Sequence, residues 1–318
     1  TIVLQVFFNK DIGILAKNSV IRTNERVSVF QNDQGMELDN SLFETSQSTF
    51  DHNKRSGVRA RNSVFVYNRT LQKTNYGDGG PFGPPNEFTN NGQHVLLQDS
   101  SQFVPMYTSA MDTIFEPLVF SANHELLVRD DATGGGGITQ VTKPAVVLEG
   151  GSFMEAVASR SILNSAQADS AAYQSENAAI KGAAFRVVDQ STLKLAGTKD
   201  VATFIRGPYN PDKQQYIAGV YTGDSSKVSF HGPTTIAQFG VDVLAEDHST
   251  MEFSPYMKDG SVDASSFSLF NTDNHTKVQL HATRACLVAN RNSNIHMRDL
   301  GDFHEWPEPY RKESVLSP

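Results

Sequence analysis

Short runs of alternating apolar and polar residues recur along the chain, and each is entered by a small polar residue. Asn18-Ser19-Val20-Ile21, Asn40-Ser41-Leu42-Phe43 and Asn62-Ser63-Val64-Phe65 repeat at a spacing of 22 and again 22 residues. The same shift lays Gly35 on Gly57, Met36 on Val58 and Leu38 on Ala60. The match fades where Val29 falls on Asp51. A related pattern, small polar, any residue, then apolar-x-apolar, begins at Ser191, Ser226, Ser249, Thr276 and Ser293. The gaps between its first apolar residues are 35, 23, 27 and 17, so the later half reads as an interrupted repeat.

Alternation over three to five residues predicts half-buried strands, one face in and one out. Asn tolerates positive φ and Ser bonds nearby backbone, so Asn18, Asn40 and Asn62, with Gly35 and Gly57, are read as structural turn positions. A 22-residue unit cannot bury its own apolar face, whereas stacked units share one long core. The expected fold class is therefore all-β, a parallel β-helix (β-solenoid) with irregular loops. Val64 is placed inside its stack. An antiparallel sandwich of the same strands and a mixed fold are the alternatives; the sandwich does not predict a constant period with Asn at one phase.

Residues 1–76 read as regular coils and 77–93 as a Gly/Pro-rich surface loop. Residues 94–300 read as an irregular solenoid with loop insertions, among them the glycines 134–137 and the Gly-Pro-Tyr-Asn-Pro stretch at 207–211. Residues 301–318, with the single Trp306, read as an extended tail. Ser152 followed by Glu155 fits a helix-capping box, so a short helical segment is expected near 153–164. The chain opens on Thr1 rather than Met, which suggests a processed chain or a fragment.

Composition narrows the function classes. Of 318 residues, 38% are hydrophobic and 19% charged, while Ser, Thr and Asn supply roughly 73, consistent with a thin core under a polar surface. No run of 18 apolar residues exists, so no membrane span is expected. The net charge of −8, with scattered Lys and Arg, argues against nucleic-acid binding through phosphate neutralisation. One Cys excludes an intramolecular disulfide and thiolate zinc sites.

Chemistry-bearing motifs are sparse. The glycine clusters at 134–137 and 150–151 lack the frame of a phosphate loop. His124-Glu125 lacks a second His four positions on, and His275 and His296 are expected on outward strand faces. Asp51-His52 reads as a solvated pair beside a turn. Glycosidic cleavage needs two carboxylates roughly 5–10 Å apart, yet Asp33, Glu44 and Asp51 fall at different phases, and nothing singles out Asp247 or Glu252. No catalytic, cofactor-binding or metal residue is assigned, and no cofactor is expected.

Through Asn18, Asn40, Asn62, Gly35, Gly57 and the five later strand patterns, about two thirds of the chain resembles the parallel β-helix proteins. These include phage tailspikes and virion fibres, surface adhesins and autotransporter passengers, and pectin-type lyases. The resemblance is one of architecture, and no lyase or glycosidase signature carries over to a position here. It implies a non-catalytic structural or adhesive component of an extracellular particle, such as a phage tail fibre, spike or baseplate protein. The alternatives are a polysaccharide lyase or hydrolase and a bacterial surface adhesin. It further implies a virion or cell-surface location, a homo-oligomer (a trimer), contacts with other virion or surface proteins, and a glycan ligand.

Overall fold

A computed structural model describes residues 4–68, 86–106, 119–121, 126–129, 138–141, 144–157, 160–162, 183–196, 203–206, 218–232, 234–237, 239–254, 257–258, 261–262, 278–282 and 285–297. These residues form a parallel β-solenoid. Each turn of the chain contributes one strand to each of three sheets.

Sheet I stacks β2 (Ile12–Lys17), β4 (Gln34–Asp39), β6 (Val58–Arg61), β9 (Val95–Gln98), β14 (Val146–Leu148), β17 (Phe185–Val187), β20 (Ala218–Thr222), β23 (Val241–Ala245) and β28 (Ala285–Ala289) in that order. Sheet II begins with the first halves of β3 (Val20–Phe30) and β5 (Leu42–Asp51). It continues through β7 (Val64–Asn68), β10 (Gln102–Met106), β15 (Phe153–Val157), β18 (Thr192–Ala196), β21 (Lys227–His231), β24 (Thr250–Ser254) and β29 (Asn294–Met297). Sheet III starts with β1 (Leu4–Phe7) and the second halves of β3 and β5. It continues through β8 (Glu87–Thr89), β11 (Val119–Ser121), β16 (Arg160–Ile162), β19 (Thr203–Arg206), β22 (Thr234–Ala237) and β27 (Val278–His281). Because β3 and β5 run unbroken through a corner, sheets II and III form one hydrogen-bonded network at that end. Antiparallel pairing is confined, among the described residues, to the hairpins β12 (Leu126–Arg129)–β13 (Ile138–Val141) and β25 (Met257–Lys258)–β26 (Ser261–Val262). Parallel pairing everywhere else excludes a sandwich.

The repeat read from sequence is the register of the stack. Val20 pairs with Leu42 and Leu42 with Val64; Met36 pairs with Val58 and Leu38 with Ala60. The mismatch at Val29 also has a structural cause. The β3–β5 register shifts between Thr23 and Arg26, so Val29 pairs with Phe50 instead of Asp51. One extra residue in the first turn, absorbed as a bulge, hides the repeat from a fixed shift.

Alternation then fills the interior. Sheet I contributes Met36, Val58, Val95, Val146, Phe185, Val220 and Val243, and sheet II contributes Phe43, Phe65, Phe103, Met154, Leu193, Val228 and Met251, all fully or nearly fully buried. Aromatic rings stack along the axis: Phe65 on Phe103 at 4.8 Å, Phe50 on Phe88 at 5.0 Å and Phe230 on Phe253 at 4.5 Å between centroids. Identical side-chain classes on successive rungs lie about 4.8 Å apart, the spacing that ring stacking accepts.

Four expectations need correction. Residues 153–164 hold no helix in their described part: β15 and β16 are strands, because Met154 and Ala156 alternate inward with period two. The capping-box pair serves other ends, since the Ser152 hydroxyl donates to Glu149 O at 2.7 Å and Glu155 bonds Lys194. Residues 87–93, assigned to the surface loop, belong to the stack: β8 pairs with β5, and Phe88 is fully buried. Val64 points outward and is half-buried; the inward residues are its neighbours Ser63 and Phe65. The pattern entered by Thr276 is β27 of sheet III, whereas the other four lie on sheet II. Removing it makes the last interval 44, the spacing of Ser249 and Ser293. The loops at 77–85, 134–137 and 207–211, His275, and the tail with Trp306 lie outside the described residues.

Candidate functional site

The corner between sheets I and II carries a serine on every turn: Ser19, Ser41, Ser63, Ser101, Ser152, Ser191, Ser226, Ser249 and Ser293. The amide of one serine donates to the hydroxyl of the next along the axis. This occurs from Ser19 to Ser41 at 3.1 Å, Ser41 to Ser63 at 2.9 Å, Ser63 to Ser101 at 3.1 Å, Ser152 to Ser191 at 3.1 Å, Ser191 to Ser226 at 3.1 Å and Ser249 to Ser293 at 3.2 Å. The patterns read from sequence contain seven of these nine serines. They miss the link to Ser101 and Ser152, whose preceding turns differ.

In the first three turns the residue before the serine is Asn18, Asn40 or Asn62, at φ 50, 50 and 45°. From Ser101 onward the corner gains a residue, and two consecutive positions take positive φ, as at Asp99 and Ser100, Gly150 and Gly151, and Asp189 and Gln190. The asparagine amides run along the outside, Asn40 Nδ2 donating to Asn18 Oδ1 at 2.7 Å and Asn62 Nδ2 to Asn40 Oδ1 at 3.3 Å. Gly35 lies in β4 and Gly57 just before β6. Here a side chain is excluded by close approach, since a Cβ on Gly35 would sit 2.4 Å from Gly57 O.

A second ladder, unseen in the sequence, lines the corner between sheets III and I. Asn9, Asn32, Asn53 and Asn91 follow the positive-φ residues Phe8, Gln31, His52 and Asn90. Each backbone amide donates to the next carboxamide oxygen, at 3.0, 3.2 and 3.0 Å, and the side-chain amides follow the same direction at 2.8, 3.1 and 2.8 Å. Asn32, Asn53 and Asn91 are fully buried. Spacings of 23, 21 and 38 concealed this ladder from a search at a fixed period. Within it, His52 occupies the turn, and its Nδ1 lies 2.7 Å from Asp51 Oδ1 on a half-exposed corner.

The densest chemistry sits on the outer face of sheet II. One row runs Glu155, Lys194, Ser229, Glu252, His296 on successive rungs, flanked by Lys227, His231 and Ser254. Lys194 Nζ lies 2.9 Å from Glu155 and Lys227 Nζ 3.6 Å from Glu252. His231 Nδ1 is 2.7 Å from Ser254 Oγ. Burial, then Lys194 and Lys227, hold the His231 imidazole below its ordinary range against the opposite pull of Glu252 and Glu155. It is neutral near pH 7, and which partner donates follows from its tautomer. The two carboxylates sit three rungs apart, about 14 Å between backbones, and each is paired with a lysine. That separation exceeds the carboxylate spacing of glycosidic cleavage before side-chain reach is counted. His296 is exposed.

The other acidic residues weighed for catalysis are engaged elsewhere. Glu44 pairs with Arg22 at 3.0 Å, Asp33 with Arg55 at 2.8 Å and Asp247 with Arg291 at 3.3 Å. Asp247 and Glu252 belong to one rung but to different faces, the first at the serine corner and the second on sheet II. No group of three or more His, Cys, Asp or Glu suited to a metal occurs among the described residues. No described helix is long and apolar enough to cross a membrane.

Length variation is unevenly placed. The serine corner is always short, from Asp39 to Leu42 or from Ala245 to Thr250 for example. The long connections all enter or leave sheet III: 69–86 between β7 and β8, 107–118 between β10 and β11, 122–145 between β11 and β14, 163–184 between β16 and β17, 207–217 between β19 and β20, and 255–277 between β24 and β27. Compared with known protein families, curated proteins and solved structures, the chain matches none.

Proposed function

We propose that the chain is a non-catalytic structural or adhesive component of an extracellular particle, of the kind found in phage tail fibres, spikes and baseplates. The observation that carries this reading is the segregation of length variation. One edge of the rod repeats with little change over nine turns, while the two corners bordering sheet III carry every long connection. A rigid support with connections of differing length on one side suits recognition, because the rod fixes where those connections are held and they fix what is bound. The ion-paired row on sheet II supports a rigid surface role for its carboxylates. A homo-oligomer, a trimer with lateral contacts, and a glycan ligand on a host or cell surface complete the proposal.

The test is incubation of the intact protein with purified capsular and cell-wall polysaccharides. Binding without release of oligosaccharides is the expected result. Release that is abolished by Glu155→Gln or Glu252→Gln would overturn the reading in favour of a polysaccharide-degrading enzyme. No binding to any glycan, cell or particle surface would overturn adhesion.

A further inference from the structure

We infer that the outer face of sheet II between β15 and β24 seats an uncharged oligosaccharide, held around the hydroxyl of Ser229. The inference rests on the adhesion reading above and gives its glycan a place on the rod. Ser229 lies on the outward side of β21, since its neighbours Val228 and Phe230 fill the core. It is nonetheless only 7% exposed. On the adjacent rungs it stands between Lys194 and Glu252, whose longer side chains leave a notch at the serine. Among the described residues its hydroxyl has no hydrogen-bond partner. The Thr203 and Thr222 hydroxyls are also unpartnered, but they are sealed from the surface, whereas that of Ser229 is not. Largely buried hydroxyls are nearly always bonded, so an open, unpartnered one is a place for a ligand hydroxyl.

The groups around the notch are held in place and sum to no charge. Lys194 Nζ lies 2.9 Å from Glu155 and Lys227 Nζ 3.6 Å from Glu252, so two ammonium groups balance two carboxylates. His231 is bonded to Ser254 at 2.7 Å and is neutral near pH 7. Fixed donors and acceptors side by side match the hydroxyls of a sugar, each of which both donates and accepts. A face without net charge, on a chain of net charge −8, supplies no field that gathers a polyanion.

Phe153 adds the apolar part. It is partly exposed on the outward side of β15, two rungs from Ser229 and so roughly 10 Å away along the axis. Small-ligand sites combine an aromatic surface of this kind with a few placed polar groups. In the two strands before β15, the outward Val104 and Val66 cannot bond a hydroxyl, so the polar row ends at β15. On its other flank Ser254 ends β24, where the connection 255–277 leaves. The site therefore borders the side of the rod that carries the long connections.

Binding of the full chain to an array of neutral and acidic oligosaccharides, followed by calorimetric titration of the best neutral one, tests this. Neutral oligosaccharides should bind, with an affinity that changes little between low and high salt. Ser229→Leu, which fills the notch, and Phe153→Ala should each weaken binding about tenfold or more. Val66→Ser, outward on the same sheet, should leave binding unchanged. Circular dichroism and urea unfolding report whether each variant is folded; if Ser229→Leu is not, Ser229→Ala and Phe153→Ala carry the comparison. Folded variants at Ser229 and Phe153 that bind as tightly as the unmodified chain overturn the inference and leave adhesion standing, with the glycan held elsewhere. Binding confined to acidic oligosaccharides and lost in high salt overturns it as well. Attachment to cells or particles with no binding to any oligosaccharide also overturns it, again without touching the adhesion reading.

Discussion

His94 should make the fold acid-sensitive in a way one substitution removes. It lies just before β9, fully buried, and burial holds its imidazole down to about 3. Its Nδ1 lies 3.3 Å from Asn91 Nδ2, the last amide of the asparagine ladder, which also donates to Phe50 O at 2.8 Å. A neutral imidazole accepts from that amide, whereas a protonated one would oppose it with a second donor. In the unfolded chain the same group titrates near 6.5. Its folded value is depressed, so protons bind the unfolded chain first as pH falls. The contribution to stability is therefore intact above about pH 6.5 and lost progressively below it. At about 1.4 kcal/mol per pH unit, roughly 2 kcal/mol disappears between pH 7 and pH 5, and the loss continues toward pH 3. Urea unfolding of the unmodified protein and of His94→Gln at both pH values gives the difference directly. Other histidines, including His231 with its depressed value, contribute to both proteins and cancel. The stability gap between the two should narrow by about 2 kcal/mol at pH 5. A gap that stays constant would refute the reasoning and place the protonation elsewhere.

Substitutions at four further positions probe the ladders and the core. Asn53→Ala removes the acceptor for the Asn32 amides and the donor to Asn91 inside a buried corner, and should cost about 3 kcal/mol by urea unfolding. Phe65→Ala, between Phe43 and Phe103, should cost about 3–5 kcal/mol, whereas Val64→Asp on the outward face should cost less than about 1.5 kcal/mol; the reverse order would place the wrong residue in the core. Asn40 sits at φ 50°, so Asn40→Ala should lower thermal stability by about 1 kcal/mol while Asn40→Gly should lie within a few tenths of the unmodified protein.

The sequence made the solenoid legible where spacing stayed constant, and spacing stays constant only where a turn has no insertion. Asn18, Asn40 and Asn62 stand out because two successive turns match in length at the serine corner. Asn9, Asn32, Asn53 and Asn91 serve an equivalent purpose at another corner, yet the bulge in β3 and the insertion before β8 break their interval. A short apolar stretch cannot by itself report which sheet it belongs to, and so Thr276 was grouped with strands of a different face. Ser152 and Glu155 satisfy a helix signature because the same hydroxyl and carboxylate chemistry also serves a tight corner and an ion pair. Inward and outward assignment failed at Val64 for a related reason: the inward serine shifts the alternation by one residue.

The serine corner explains how such uneven turns stack in register. Successive turns range from 22 residues to 51, and yet Val64 lies above Gln102 and Gln102 above Phe153 without a slip in sheet II. Lengthening a flexible closure from 22 to 51 residues costs only about 0.7 kcal/mol of chain entropy, because the penalty grows with the logarithm of length. A slip of one residue would instead turn Phe103 outward and Gln102 inward and break the amide-to-hydroxyl bond from Ser63 to Ser101, a far larger loss. Register is thus fixed locally, by a short corner whose length varies by one residue or so and by the inward residue two positions after each serine. Connections on the opposite side are then free to change in length and sequence at small energetic cost. A short corner that sets register and longer connections that tolerate change are thus separated within each turn, and the division is visible in which corners the long connections enter.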